Sequence, residues 1–158
     1  DKALWSWRLK CMMYTNIHLY KSVVEFQKPN LWWEIASHNS QLVKICKTMI
    51  LLLTGEGNLN ANTSNWGTSY DKHSRSLCNA CKSETETLEH LILNCDAHSQ
   101  MRDIIQKELN ANSIPENCSN EIKLAIIFGK DKLLKIDSYV TISKTIYAMY
   151  TSNDRMIL

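Results

Sequence analysis

Four side chains that ligate transition metals lie within eighteen residues of this 158-residue chain. Cys78 and Cys81 are separated by two residues, His90 follows after eight more, and Cys95 after a further four. Thiolate sulfur and imidazole nitrogen suit Zn²⁺, and a C-x2-C turn presents two thiolates while a second element must supply the other pair of ligands. The spacing therefore predicts one structural Zn²⁺ held by Cys78, Cys81, His90 and Cys95.

The second pair of ligands places a condition on the chain between them. A short helix predicted to begin within Glu86 to Leu91 would carry His90. Five helical residues rotate by about 140°, so Cys95 would leave the face that His90 occupies. We therefore expect the helix to end or loosen near Leu93 and Asn94.

Other uses of these cysteines fit the sequence less well. Cysteine is often simply buried, but the segment around Cys78 and Cys81 is rich in Ser, Glu and Thr and offers little apolar cover. Intracellular C-x2-C pairs are more often metal or redox sites than disulfides, and no βαβ pattern supports a redox site here. Cys11, Cys46 and Cys118 stand alone and are predicted to be core or surface thiols.

Helical periodicity surrounds this motif on both sides. Gly55 and Gly57 are predicted to end one helix, and Ser119 and Gly129 to bound another. Apolar residues recur at steps of three and four residues and predict helices near 4–20, 41–53, 96–109, 120–128 and 136–150.

These elements predict an all-α fold, a compact helical unit organised around a small CCHC zinc knuckle. The predicted parts are an N-terminal helical part at 1–54, a loop at 55–77, a zinc module with its following helix at 78–109, and C-terminal helices at 110–158. The loop is predicted because Asn, Ser, Thr and Gly dominate that segment.

The motif and its surroundings resemble a known family. Cys78-x2-Cys81, the run ETETLEHLILNC ending at Cys95, the upstream run LLLTGEGNL and the later Arg102 are together similar to the C-terminal cysteine-histidine region of non-LTR (LINE-type) retrotransposon reverse transcriptase polyproteins. The specific part of the resemblance spans about 49–105. This chain has Lys82 where the family usually has Gly or a small residue, and Asp96 where it usually has Pro.

The resemblance implies a non-catalytic segment downstream of the polymerase. Such a segment would contact the element's RNA or its target DNA during target-primed reverse transcription. No paired-aspartate polymerase motif is present, so the chain is expected to be a fragment of such a polyprotein or a descendant kept by a host.

Charge is distributed unevenly along the chain. The net charge is +2, but residues 1–80 hold nine Lys and Arg against five Asp and Glu, and residues 81–158 hold nine against eleven. Three thiolates and one imidazole would leave a Zn²⁺ site at −1, and acidic residues follow in Glu84, Glu86 and Glu89. RNA or DNA is therefore expected to meet the flanking cations Lys72, Arg75 and Lys82.

A different function class also fits the sequence. A zinc domain that mediates protein–protein interaction would suit the near-neutral charge and the many aromatic residues. An enzyme is disfavoured, since four protein ligands close a zinc site to water. The tryptophans could stack on bases, although packing is the predicted role for Trp5, Trp7, Trp32 and Trp33.

Hydropathy bears on where the chain would work. No apolar run approaches the roughly 20 residues that span a bilayer, so no membrane partner is predicted. We expect an intracellular location, in the nucleus, the cytoplasm or both.

Overall fold

The structure, a computed structural model, describes residues 18–24, 30–64 and 72–152. This part of the chain is helical, and its only strand-like feature is an isolated antiparallel bridge between Leu77 and Thr85. The predicted all-α fold is confirmed. None of the helices in these ranges is long and apolar enough to cross a membrane.

Eight α-helices and four shorter turns make up the described ranges. The helices are α1 His18–Val23, α2 Leu31–His38, α3 Val43–Thr54, α4 Asn60–Thr63, α5 Lys72–Ser76, α6 Ser99–Ala111, α7 Asn120–Ile127 and α8 Ile136–Thr151. The turns are 3₁₀ at Ser40–Leu42, Asp96–His98 and Lys130–Lys132, and π at His90–Asn94.

The ends of the long helices follow their local sequence. Gly55 ends α3 in the left-handed conformation, with φ of 77°. The hydroxyl of Ser119 accepts a hydrogen bond from the backbone N–H of Ile122 and caps α7. Gly129 has φ of 106°, and a Cβ there would lie 2.8 Å from Leu31, so glycine alone fits this close approach. The predicted stops at Gly55 and Gly129 are thus confirmed.

The segment predicted as a loop, 55–77, differs from expectation. It contains α4 and α5, two short helices that its polar composition does not predict. The start of α4 is stabilised by a residue far away in sequence, because the backbone N–H of Asn60 donates to the carboxylate of Glu86 at 3.0 Å. The helix predicted at 4–20 lies outside the described residues except for its last three, where α1 begins.

The described helices share one hydrophobic core around α8, which packs against α6, α3 and the π turn. Trp32 is fully buried, donates its indole N–H to the carbonyl of Phe128 at 3.2 Å, and meets the Tyr139 ring edge-on at 5.9 Å. The predicted packing role is therefore confirmed for Trp32. The predicted packing is wrong for Trp33, which is 59% exposed because its side chain is turned by about 100° around α2 from that of Trp32. Trp5 and Trp7 lie outside the described residues.

Candidate metal centre

A tight hairpin presents the first two ligands. The backbone N–H of Cys78 donates to the carbonyl of Glu84 at 2.7 Å, and that of Glu86 to the carbonyl of Ser76 at 2.8 Å. At the tip, the N–H of Lys82 donates to the carbonyl of Cys78 at 2.9 Å. This turn curls the chain so that Cys78 and Cys81 face the same point.

Lys82 closes the turn in an unfavourable backbone conformation. Its φ is 58°, in the left-handed region where a Cβ costs roughly 1–2 kcal/mol. This is the position at which the sequence departs from the usual Gly or small residue of the family it resembles. The exposed ammonium donates to Asn79 Oδ1 at 3.1 Å.

A π turn delivers the other two ligands. The Thr87 hydroxyl accepts a hydrogen bond from the N–H of His90 at 3.0 Å, and the chain then widens from α-helical to π-helical geometry over His90–Asn94. The N–H of Cys95 donates to the carbonyl of His90 at 2.7 Å, a bond that spans five residues. The wider turn brings Cys95 back toward the side of His90, so the helix loosens where we expected it to do so.

The four predicted ligands lie together. Their ligand atoms are all within 4.8 Å of one another, with Cys78 Sγ 3.8 Å from Cys95 Sγ and Cys81 Sγ 3.3 Å from His90 Nε2. Cys78, His90 and Cys95 are buried, and Cys81 is partly exposed. This cluster is close enough to bind a metal ion.

A carboxylate orients the imidazole. Glu84 Oε2 lies 2.9 Å from His90 Nδ1. When Nδ1 carries the proton, it donates to the Glu84 carboxylate and leaves the Nε2 lone pair directed at the sulfur cluster. Metal-ligating histidines commonly have such a partner, which fixes the tautomer and strengthens the nitrogen as a ligand.

Two of the thiols are perturbed in opposite directions. Burial disfavours the Cys81 thiolate, but hydrogen bonds from the hydroxyl and N–H of Ser83 and from the N–H of Glu84, together with the contact to His90, outweigh it and lower the pKa of Cys81 to about 6. Burial raises the pKa of Cys95 to about 12, and the nearby sulfurs of Cys78 and Cys81 add to the rise. One thiolate thus forms readily, whereas gathering several at this point requires a compensating cation.

Arg102 contacts the backbone of Cys95, the last of the four candidate ligands. Its guanidinium, from the first turns of α6, donates to the carbonyl of Cys95 and lies 3.9 Å from the Asp96 carboxylate. The sequence marked Arg102 only through the resemblance. Cys95 has extended backbone and lies before α6, so no helical spacing in the sequence marks this contact.

The predicted nucleic-acid contacts flank the hairpin. Arg75 and Lys82 are exposed on either side of the first ligand pair, and Lys72 begins α5, although its side chain is not described. Of the three glutamates that follow the first ligand pair, Glu84 and Glu89 face solvent. Glu86 does not: it is fully buried and joins the hairpin to Asn60, a role that the sequence did not reveal.

The remaining cysteines stay apart from the cluster. Cys46 is buried in the core on α3, and Cys118 is half-buried before α7, as expected of core and surface thiols. Cys11 lies outside the described residues. In the three comparisons made with known proteins, no protein-family model, curated protein or solved structure matches this chain.

Proposed function

We propose that Cys78, Cys81, His90 and Cys95 hold a structural Zn²⁺ ion, which folds this part of the chain into a nucleic-acid-binding module. The observation that carries the proposal is the complete set of four ligands with atoms within 4.8 Å of one another. Three sulfurs and one nitrogen form a donor set typical of zinc, whereas calcium and magnesium take oxygen ligands.

The separations support an ion of this size. Zn–S bonds of about 2.3 Å and a Zn–N bond of about 2.0 Å, at tetrahedral angles, place two sulfurs about 3.8 Å apart and a sulfur and a nitrogen about 3.5 Å apart. The corresponding separations here are 3.8 Å for Cys78 and Cys95 and 3.3 Å for Cys81 and His90. Since four protein ligands leave no position for water, the site suits a structural role.

Metal analysis tests the first part of the proposal. Protein purified under reducing conditions without chelator should contain about one zinc per chain, and Cys81→Ser should lose it because Ser is a poor zinc ligand. Cys118→Ser is the matched control, since Cys118 lies apart from the cluster and its loss should leave the zinc content unchanged. Absence of stoichiometric metal from the parent protein would contradict the zinc site.

Two observations support a nucleic-acid partner. The motif around Cys78 to Cys95 resembles the LINE-type region that is thought to bind element RNA or target DNA. The exposed cations Arg75 and Lys82 also border the hairpin, where they can offset the −1 charge of the zinc site and the exposed Glu84. Phosphate would therefore approach along this flank, and a host-kept or excised retrotransposon segment is the origin that we propose.

Salt dependence tests the nucleic-acid partner. The parent protein should bind single-stranded RNA or DNA with an affinity that falls steeply with salt, because phosphate contacts release counterions. Joint replacement of Lys72, Arg75 and Lys82 by Ala should weaken binding and flatten the slope of log K against log salt by up to about 2 units, at about 0.7 per contact.

Three exposed lysines elsewhere provide the control for net charge. Joint replacement of Lys107, Lys130 and Lys144 by Ala removes the same charge from other parts of the surface and should change the slope much less. Equal binding by the flank variant and the parent would refute the proposed flank. The absence of any salt-dependent RNA or DNA binding by the parent would favour the protein-interaction alternative.

A further inference from the structure

A leucine-lined groove of about 490 Å³ lies behind the segment that carries His90. Its walls come from α1, the end of α3, residues 59–62, residues 87–89 and α7. The apolar lining consists mainly of six leucines, Leu19, Leu52, Leu53, Leu59, Leu88 and Leu124.

The groove combines a fixed floor with accessible walls. Leu52, Leu53 and Leu59 are buried members of the hydrophobic core, so the floor is set by the fold itself. Leu19 and Leu88 are only partly buried and form the accessible sides. The volume lies within the range of ligand-binding pockets and leaves room for several aliphatic side chains.

Among the described residues at the rim, the charge is of one sign. The carboxylates of Glu89 and Glu121 are exposed, and no Lys or Arg is among the described residues that line the groove. Glu89 is held in place by a hydrogen bond from Asn120 Nδ2 at 2.8 Å, and Glu121 occupies the first turn of α7. Such a rim repels phosphate and attracts cations.

We infer that this groove docks an amphipathic helix of a partner protein, whose aliphatic side chains enter the groove while Lys or Arg residues beside them face Glu89 and Glu121. An apolar helix face laid into an apolar groove is a recurrent mode of peptide recognition. The partner goes beyond the proposed nucleic-acid function, since neither Arg75 nor Lys82 is among the described residues that line the groove.

A pair of model peptides tests the charge rule. The probes are fluorescein-labelled helical peptides of about 18 residues with the same leucine stripe, one carrying Lys and the other Glu on its polar positions. Fluorescence anisotropy with the full, metal-loaded chain should show the Lys peptide binding at least about tenfold more tightly than the Glu peptide. Equal affinity for the two peptides, or no binding of the Lys peptide, overturns the inference.

Variants locate the binding surface. Joint Glu89→Gln and Glu121→Gln substitution should weaken the Lys peptide by about fivefold, because each exposed ion pair contributes modestly. Asp103→Asn with Asp137→Asn removes the same charge from outside the groove and should leave affinity unchanged. Helical circular dichroism and metal content show that each variant is folded. Unchanged affinity in the groove variant overturns the inference.

Two further outcomes bear on the occupant. Weaker binding of the Lys peptide after joint replacement of Lys72, Arg75 and Lys82 by Ala would place the peptide on the proposed nucleic-acid flank and overturn the separate groove. Sedimentation that reveals self-association of the parent, lost in Glu89→Gln with Glu121→Gln, would assign the groove to a second copy of this chain and likewise overturn it. A monomeric parent whose affinity for the Lys peptide is unchanged by the joint replacement of Lys72, Arg75 and Lys82 supports the inference.

Discussion

Lys82 shows how one residue can oppose the local fold that it occupies. Its φ of 58° favours glycine, so Lys82→Gly should stabilise the metal-loaded protein by up to about 1 kcal/mol. Lys82→Ala is the matched control, because it also removes the contact with Asn79 but keeps the Cβ. Urea denaturation of both variants measures the difference, and a Gly variant no more stable than the Ala variant would show that the turn carries no strain.

Glu84 contacts His90, one of the four candidate metal ligands. Glu84→Ala removes the acceptor for Nδ1–H and should weaken metal affinity by about tenfold, at the low end for such partners because Glu84 is exposed. Glu84→Gln retains an acceptor oxygen and should fall between Ala and the parent. Competition with a chromogenic chelator measures the affinities, with Asp103→Asn as a control for net charge. The same affinity in Glu84→Ala and the parent would mean that the carboxylate does not orient the ring.

Among the elements, α2 contrasts two adjacent tryptophans. Trp32 is 0% exposed and Trp33 is 59% exposed, although they are neighbours in one helix. Helical geometry turns consecutive residues by about 100°, so the core receives one ring and solvent meets the other.

This contrast predicts unequal effects of the same substitution. Trp32→Ala should destabilise the protein by about 3–5 kcal/mol, because it opens a cavity and leaves the Phe128 carbonyl without its indole partner. Trp33→Ala should change the free energy of unfolding by less than about 0.5 kcal/mol. The midpoints of urea denaturation for the two variants measure this difference. Comparable losses of stability in both would mean that Trp33 also packs in the folded protein.

At the scale of the whole molecule, the segment between His90 and Cys95 is part of the hydrophobic core that the described helices share. Leu91 and Ile92 are fully buried within the cluster that also contains Met49 and Ile146. Glu86 further ties the hairpin to α4 through Asn60. Loss of a bound metal should therefore destabilise elements beyond the four candidate ligands, by unequal amounts.

Hydrogen exchange before and after chelation of the metal measures how far this destabilisation extends. Structural zinc contributes on the order of 10 kcal/mol to the segment it folds, so amides from Ser76 to Leu109 should exchange much faster after chelation. Amides of α2 and α3 should lose less protection, since those helices also pack on each other. Chelator added to Cys81→Ser provides the control and should cause little further change. Unaltered exchange between Ser76 and Leu109 in metal-free protein would show that the metal does not organise that segment.

Sequence patterns among neighbouring residues were sufficient to predict much of this architecture. The apolar steps that predicted α3, α6, α7 and α8 report a buried helix face directly, and the glycine and serine that bound them act on adjacent backbone. The four clustered side chains were likewise recognisable as candidate metal ligands, because donor type and spacing within eighteen residues limit where they can meet.

Contacts between distant residues decided the rest. α4 sits in a polar segment and is held by Glu86, 26 residues away, so no local pattern marks either its start or the burial of that carboxylate. The choice between core and solvent for Trp32 and Trp33 depended on how α2 meets Phe128 and Tyr139. The sequence by itself determined four of the eight described α-helices and the four side chains of the candidate metal site, since those depend on neighbouring residues. Only the tertiary structure decided which polar groups are buried, because burial depends on the elements that pack above them.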